Sequence, residues 1–143
     1  MIIIQIIDNN TVVITTDDEL KQALSEDNNY DYIYLGNDIT ATSGFVINSK
    51  KNKITIDGTY NNIKYTYTNN LSSEATVIKA STSNNKIILK NMNIMSSHGY
   101  GVIYVPSHPN YSNTVIEYNN INFSGIELSQ NYYGTTKIVD SII

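Results

Sequence analysis

The chain has no cysteine, no arginine and no tryptophan, only two prolines, and few charges for its 143 residues. Without cysteine there are no disulfides and no thiolate metal sites, a composition that fits either redox compartment. Charged residues make up 15% of the chain, against about 25% in an average soluble domain. All nine basic residues are lysines, and the formal net charge is −4. No nucleic-acid or anionic-membrane partner is expected from such a balance, because both need clustered positive charge. Lys50, Lys51 and Lys53 are the one local group, and they read as a solvated turn. No membrane insertion is expected either, since MIIIQII at the start is too short for a spanning helix and lacks the basic residues of a leader.

What is present is asparagine, serine and threonine for polarity, and isoleucine and valine for a core. Twelve tyrosines supply nearly all the aromatic content. A chain of this length suits one domain, burying roughly two-thirds of the surface its unfolded form exposes. Ile2 to Ile7 and Thr11 to Thr15 read as strands around a turn at 8–10. TTDDELKQALSED then changes period. A capping Thr16 or Asp17, acids in the first turn, and Leu20, Ala23 and Leu24 on one face predict a helix over Asp17–Ser25. After Tyr30 short strands predominate. YDYIYLG alternates Ile33 and Leu35 against Tyr32 and Tyr34, and IKYTYT alternates Ile63, Tyr65 and Tyr67 against Lys64, Thr66 and Thr68. FVIN, KITIDG, TVIKA, IILKN, GVIYV, TVIEYN and KIVDS are further strand-like runs.

One phrase recurs. NKITIDG, NKIILKN and NTVIEYNN superpose with Ile54, Ile87 and Ile116 in one column, and Ile56, Leu89 and Tyr118 in the next. Gly58, Asn91 and Asn120 then share a corner column. A weaker fourth copy, TKIVDS, places Lys137 with the isoleucines, Val139 with Tyr118, and Ser141 at the corner. The steps are 33, 29 and 21 residues. Irregular steps around a preserved phrase suit a solenoid with strands of fixed length and loops that vary. Its sharp corners need left-handed backbone, which glycine and asparagine adopt at least cost. Stacked asparagines can then bond one another along the stack. An antiparallel sandwich competes with this arrangement, but hairpin signals are scarce: there is no AsnGly, and the AspGly at 57–58 lies in the repeated corner.

ELKQALSEDNNYDYIYLGNDITATSG, followed by KITIDG, resembles the start of the right-handed parallel β-helix proteins of the pectate-lyase-like superfamily. More narrowly, LGNDITATSGFVINSKKNKITIDG resembles the pectate-lyase-like adhesive domains of Gram-positive surface proteins. The similarity covers about Asp17 to Tyr60. It implies an all-β fold, a right-handed single-stranded parallel β-helix whose open end is capped by the short helix. The expected layout is a single domain over 1–143, with N-terminal strands in 1–16, the capping helix in 17–25 and coils from 30 to 143. KIVDSII ends in an apolar run without a polar cap, so a fragment of a longer chain is expected.

Enzymes on this scaffold act on acidic polysaccharides, the lyases with a basic residue and Ca²⁺ held by carboxylates, the hydrolases with grouped aspartates. Here there is no arginine, and Thr59 to Val139 holds no aspartate. Its glutamates, Glu74, Glu117 and Glu127, are far apart. Lys90 and Glu117 read as a solvated charge pair, and Asp57 as a turn former. His98 and His108 fall in two loops without a carboxylate nearby, which is poor support for a metal. No catalytic residue, metal or cofactor is therefore expected. Tyrosine joins an apolar ring to a hydroxyl handle, which suits sugar faces and protein surfaces. Tyr32, Tyr34, Tyr65, Tyr67, Tyr132 and Tyr133 are the candidate ligand-binding residues. The expectation is a non-catalytic module of a secreted or cell-surface bacterial protein, an adhesin or stalk meeting a polysaccharide or a host or cell-surface protein. The rival is the N-terminal part of a polysaccharide lyase or glycoside hydrolase whose catalytic coils lie elsewhere. End-to-end self-association is a third reading.

Overall fold

Runs of isoleucine, valine and tyrosine favour extended backbone, and the asparagines and glycines between them favour turns. The computed structural model, which describes residues 4–72 and 78–143, is built in this way. It begins with β1 (Gln5–Ile6), β2 (Thr11–Ile14) and the helix α1 (Asp17–Ser25). Next come β3 (Tyr32–Leu35), β4 (Ile39–Thr40), β5 (Phe45–Val46) and β6 (Lys53–Asp57). They are followed by β7 (Thr59–Tyr60), β8 (Ile63–Lys64), β9 (Thr66–Asn69) and β10 (Ile78–Lys79). Last are β11 (Lys86–Ser96), β12 (Ile103–Val105), β13 (Val115–Gly125), β14 (Ser129–Asn131) and β15 (Thr135–Val139). Among the described residues the fold is thus all-β apart from α1 and a short 3-10 turn at Pro109–Tyr111. Of the strands expected from the sequence, the starts of MIIIQII and TVIKA, and Glu74 between strands, lie outside the described residues.

Pairing is parallel along one long ladder, β2–β3–β6–β11–β13–β15, to which β1 adds antiparallel at the β2 edge. The C-terminal halves of β11 and β13 continue into a second ladder with β9 and β4. A separate sheet joins β5, β10, β12 and β14, again in parallel. The sheets are mixed, because β1 with β2 and β7 with β8 pair antiparallel. The path through them is cyclic. The chain visits the long ladder, the second ladder and the separate sheet in that order as β3, β4, β5, and again as β6, β9, β10. β11 and β13 each supply two stations, since each is bent in the middle, with β12 and β14 as the third.

The bends are the repeated corners. Asn91 and Asn120 both have φ of 54°, and both drop out of a ladder that otherwise runs unbroken from Lys86 with Val115 to Ser96 with Gly125. The Asn120 carboxamide donates to Asn91 Oδ1 at 3.0 Å, and Asn91 donates in turn to Asp57 Oδ1 at 3.2 Å. A second asparagine step lies just past the corner, where Asn122 donates to Asn93 Oδ1 at 3.2 Å. Gly58 occupies the same column without a positive φ. Its requirement is space, since a Cβ there would lie 2.1 Å from the Met92 Cβ. Asn120→Ala should lower stability by about 1–2 kcal/mol, the left-handed backbone penalty plus the lost amide bond. Asn120→Gly should recover the backbone part, as read from paired denaturant melts.

Ile54, Ile87 and Ile116 pair in register, as do Ile56, Leu89 and Tyr118, and all six are buried. The fourth copy is shifted by one residue from the sequence alignment. Thr136 lies beside Ile116 and Ile138 beside Tyr118, which puts Asp140, with φ of 48°, at the corner position in place of Ser141. A one-residue slip exchanges the faces of a strand, so Lys137 stands outward opposite Glu117 instead of in the isoleucine column. IKYTYT also departs from the single strand expected: it breaks at Tyr65 into β8 and β9, and β8 folds back on β7.

Helix α1 begins at a reciprocal cap. The Thr16 hydroxyl oxygen accepts from the Glu19 N–H at 3.2 Å, and Glu19 Oε2 accepts from the Thr15 and Thr16 hydroxyls. Leu20, Ala23 and Leu24 are fully buried, and the helix packs on β2 and β5. Asp17 ties it down further, accepting from the Thr42 N–H and hydroxyl at 2.9 and 2.8 Å.

Candidate functional site

Alternation along β3 sends Ile33 and Leu35 into the core and leaves Tyr32 and Tyr34 half-buried on the outer face of the long ladder. Parallel register extends that face into two rows. One runs Tyr32, Thr55, Ile88, Glu117; the other runs Tyr34, Asp57, Lys90, Asn119. The Tyr32 and Tyr34 rings have centroids 5.0 Å apart, and Tyr60 adds a third ring 5.3 Å from Tyr34. Tyr60 reaches them because β7 and β8 form a hairpin that leaves the stack after Gly58. Its turn residues Asn61 and Asn62 have φ of 51° and 64°. The Tyr65 N–H donates to Gly58 O at 2.8 Å and closes the base of the hairpin.

Asp57 anchors the aromatic group from behind. The Tyr32 hydroxyl donates to its Oδ2 at 2.7 Å, while the Thr59 N–H and the Asn91 amide donate to its Oδ1. The turn-forming role expected of Asp57 is therefore present, with a second role added. Lys90 does not pair with Glu117. Its ammonium lies 5.5 Å from the Tyr32 ring centroid, within reach of the ring face. Two hollows share Tyr32. One, of about 640 Å³, lies between Tyr34, the hairpin and the turn at Asp8; the other, of about 370 Å³, runs along the sheet past Thr55, Lys90 and Glu117.

A family model described as "Putative pectate lyase-like adhesive domain" matches residues 11–137. The chain belongs to the pectate lyase-like adhesive domain family. Neither a curated protein nor a solved structure matches it. The family match starts at the first residue of β2 and ends within β15, so it spans all of the parallel stack but the end of its last strand. The family description is that of an adhesion-type module.

The six tyrosines expected to bind ligand do not form one site in this adhesive domain. Tyr32 and Tyr34 meet on the outer face. Tyr65 is half-buried and packs against the core, and Tyr67 is almost wholly buried within it. For Tyr67 this corrects the expectation: β9 alternates with Tyr67 inward, in the interior column beside Ile39 and Ile94, where no ligand reaches its ring. Tyr132 and Tyr133 are exposed, but they follow β14, and β6, β11 and β13 intervene between β3 and β15. At about 4.8 Å per strand they cannot share a small ligand with Tyr32. Tyr60 belongs to the same early cluster of tyrosines but was not among the six candidates, and the two asparagines beside it were the part of the site that the tyrosine pattern left out.

The histidines are structural. His98 lies in a loop, as expected, but is fully buried there, and its Nδ1 accepts from the Tyr100 N–H at 3.0 Å. His108 is exposed and caps the 3-10 turn through its Nδ1. Among the described residues no group of three or more histidine, cysteine, aspartate or glutamate side chains is placed to hold a metal ion.

Burial pushes three hydroxyls above the ordinary tyrosine value of 10.0: Tyr32, helped by the Asp57 carboxylate, Tyr67, helped by Asp17, and Tyr118. The fold favours their neutral form. The stability they contribute is complete below pH 10.0 and is lost as pH rises through the folded-state values. A titration followed by phenolate absorbance should find these three silent until the chain unfolds in alkali. Circular dichroism should lose the strand signal over the same interval.

Proposed function

We propose that the chain is a right-handed parallel β-helix that serves as a rigid, non-catalytic adhesion module of a secreted or cell-surface protein of a Gram-positive bacterium. What supports the architecture above all is the cyclic path, in which each winding meets the same three strand positions in the same order and pairs in parallel with the winding before. Right-handedness follows from the near-universal hand of crossovers between parallel strands. On this reading α1 is the lid over the first winding, and the corner asparagines hold successive windings in register.

The role follows from rigidity and surface chemistry together. Stacked windings hold an elongated face of tyrosine, threonine and asparagine in fixed positions. Such a face meets a polysaccharide or a surface protein weakly at several points, and the summed contacts give adhesion. The outer face lacks arginine and grouped aspartates, so it offers little for the lyase or hydrolase chemistry of the scaffold. The test is direct. Beads carrying the chain are offered to bacterial and host cell surfaces, and the soluble chain is incubated with polygalacturonate while unsaturated products are followed by absorbance. Bead retention without product formation is the expected result; catalytic turnover of the polymer would overturn the reading.

A further inference from the structure

The hollow beside Tyr34 is more specific than the face around it. Three tyrosine rings form a curved wall, since Tyr32 and Tyr34 are tilted by 51° and Tyr34 and Tyr60 by 53°. The asparagine turn of the hairpin supplies one rim, and the Asp8–Thr11 turn supplies the other. Its volume of about 640 Å³ falls within the range of roughly 300–1,000 Å³ typical of small-molecule sites. We infer that this cleft binds a neutral pyranose unit of a polysaccharide and discriminates against uronic acids. The inference rests on the adhesion reading and names the ligand class of its principal site.

Three features carry it. Tyrosine rings offer apolar faces to the C–H face of a sugar ring while their hydroxyls stay in polar contact. Asn61 and Asn62 line the cleft with amides, which exchange hydrogen bonds with sugar hydroxyls in both directions, while the Thr59 hydroxyl, which donates to Asn91 O at 2.8 Å, is left as an acceptor. The charge is of one sign. Among the described residues that line the cleft there is no lysine, and Asp8 is its carboxylate. The Asn10 N–H donates to Asp8 Oδ1 at 2.9 Å and, with Thr11, holds the carboxyl below the usual aspartate value. Asp57 adds a second carboxylate behind Tyr32. Lys90 lies behind the same ring, 5.5 Å from its centroid, and offsets Asp57, so the repulsion a uronate meets comes from Asp8, whereas a neutral sugar finds acceptors for its hydroxyl protons.

The experiment immobilises neutral oligosaccharides of glucose, galactose, mannose and N-acetylglucosamine beside oligogalacturonate, and measures binding of the whole chain. At least one neutral series should bind, and oligogalacturonate should bind at least about tenfold more weakly. Tyr60→Ala, at the hairpin and outside the stack, should weaken the neutral ligand about tenfold with the thermal melt unchanged. Asp8→Lys should narrow or reverse the preference over oligogalacturonate, an independent reading should Tyr60→Ala disturb the hairpin. Equal or tighter binding of oligogalacturonate by the unaltered chain would overturn the inference, as would indifference of a bound neutral glycan to both substitutions. Absence of any neutral binding, with bead adhesion to cells retained, would remove the sugar site and leave the adhesion reading in place.

Discussion

Replacing Gly58 with alanine should lower the unfolding free energy by about 3 kcal/mol, the upper part of the range for forced overpacking. The added methyl would sit 2.1 Å from the Met92 Cβ and 2.8 Å from both Asn91 O and the Met92 Cα. Two of those atoms are backbone, and Met92 is fully buried, so no flexible side chain can swing aside. Relief requires the β6 corner and the β11 corner to move apart, which would stretch the Asn91 bond to Asp57 and the Gly58 N–H bond to Lys90 O at 2.8 Å. In a chain of this size the midpoint of thermal unfolding should fall by roughly 10 °C. Gly99→Ala is the control. Nothing lies within 4 Å of a Cβ at Gly99, and its melt should be unchanged or slightly raised. Equal effects of the two substitutions would show that close corner stacking is not what Gly58 provides.

Ile87→Ala should cost about 3–4 kcal/mol, in the range for truncating a fully buried isoleucine. Ile87 is flanked in register by Ile54 on β6 and Ile116 on β13, all three without solvent exposure. Neighbours held by ladders on both sides cannot collapse into the space, so the cavity term adds fully to the lost transfer energy. Against a total of roughly 5–15 kcal/mol for a domain, that is a large fraction. Ile138 is the register partner of Tyr118 on β15 and is more than half exposed at 52%. Ile138→Ala should change stability by less than about 0.5 kcal/mol. Denaturant melts of the two variants separate interior columns from terminal ones.

The columns were legible from sequence because two rules coincide there. Strand alternation marks which residues face inward, and asparagine marks where the chain must turn left-handed, so NKIILKN and NTVIEYNN could be set in register before any coordinates. Where only one rule applied, the reading failed. TKIVDS has no asparagine at its corner, and Asp140 tolerates the left-handed backbone nearly as well as Asn does, so the alignment slipped by a residue. Gly58 was placed at the right corner for the wrong reason, since its backbone is not left-handed and only its lack of a side chain matters.

The candidate site was legible in part. Alternation placed Tyr32 and Tyr34 outward and set Tyr65 and Tyr67 on the side of Ile63, but side-chain chemistry alone kept Tyr65 and Tyr67 among the ligand-binding residues. The missing signal was YNNI. Two adjacent asparagines supply the pair of positive φ values that a two-residue hairpin turn requires, the same demand that AsnGly meets more often. His98 shows the limit of loop arguments. SSHGYG is irregular, yet its imidazole is fully buried and accepts a hydrogen bond from a backbone N–H, a role that no local pattern distinguishes from surface exposure.

The two feet of the β7–β8 hairpin are joined by one hydrogen bond, from the Tyr65 N–H to Gly58 O. Thr59 is tied to the corner by its hydroxyl, which donates to Asn91 O at 2.8 Å, but the tip at Asn61 and Asn62 stands outside the ladders, and lengthening such an excursion adds little closure entropy. The tip is therefore an exchangeable part. Other sequences grafted between Gly58 and Tyr65 would redirect what the surface recognises while the column of windings beneath stays as it is.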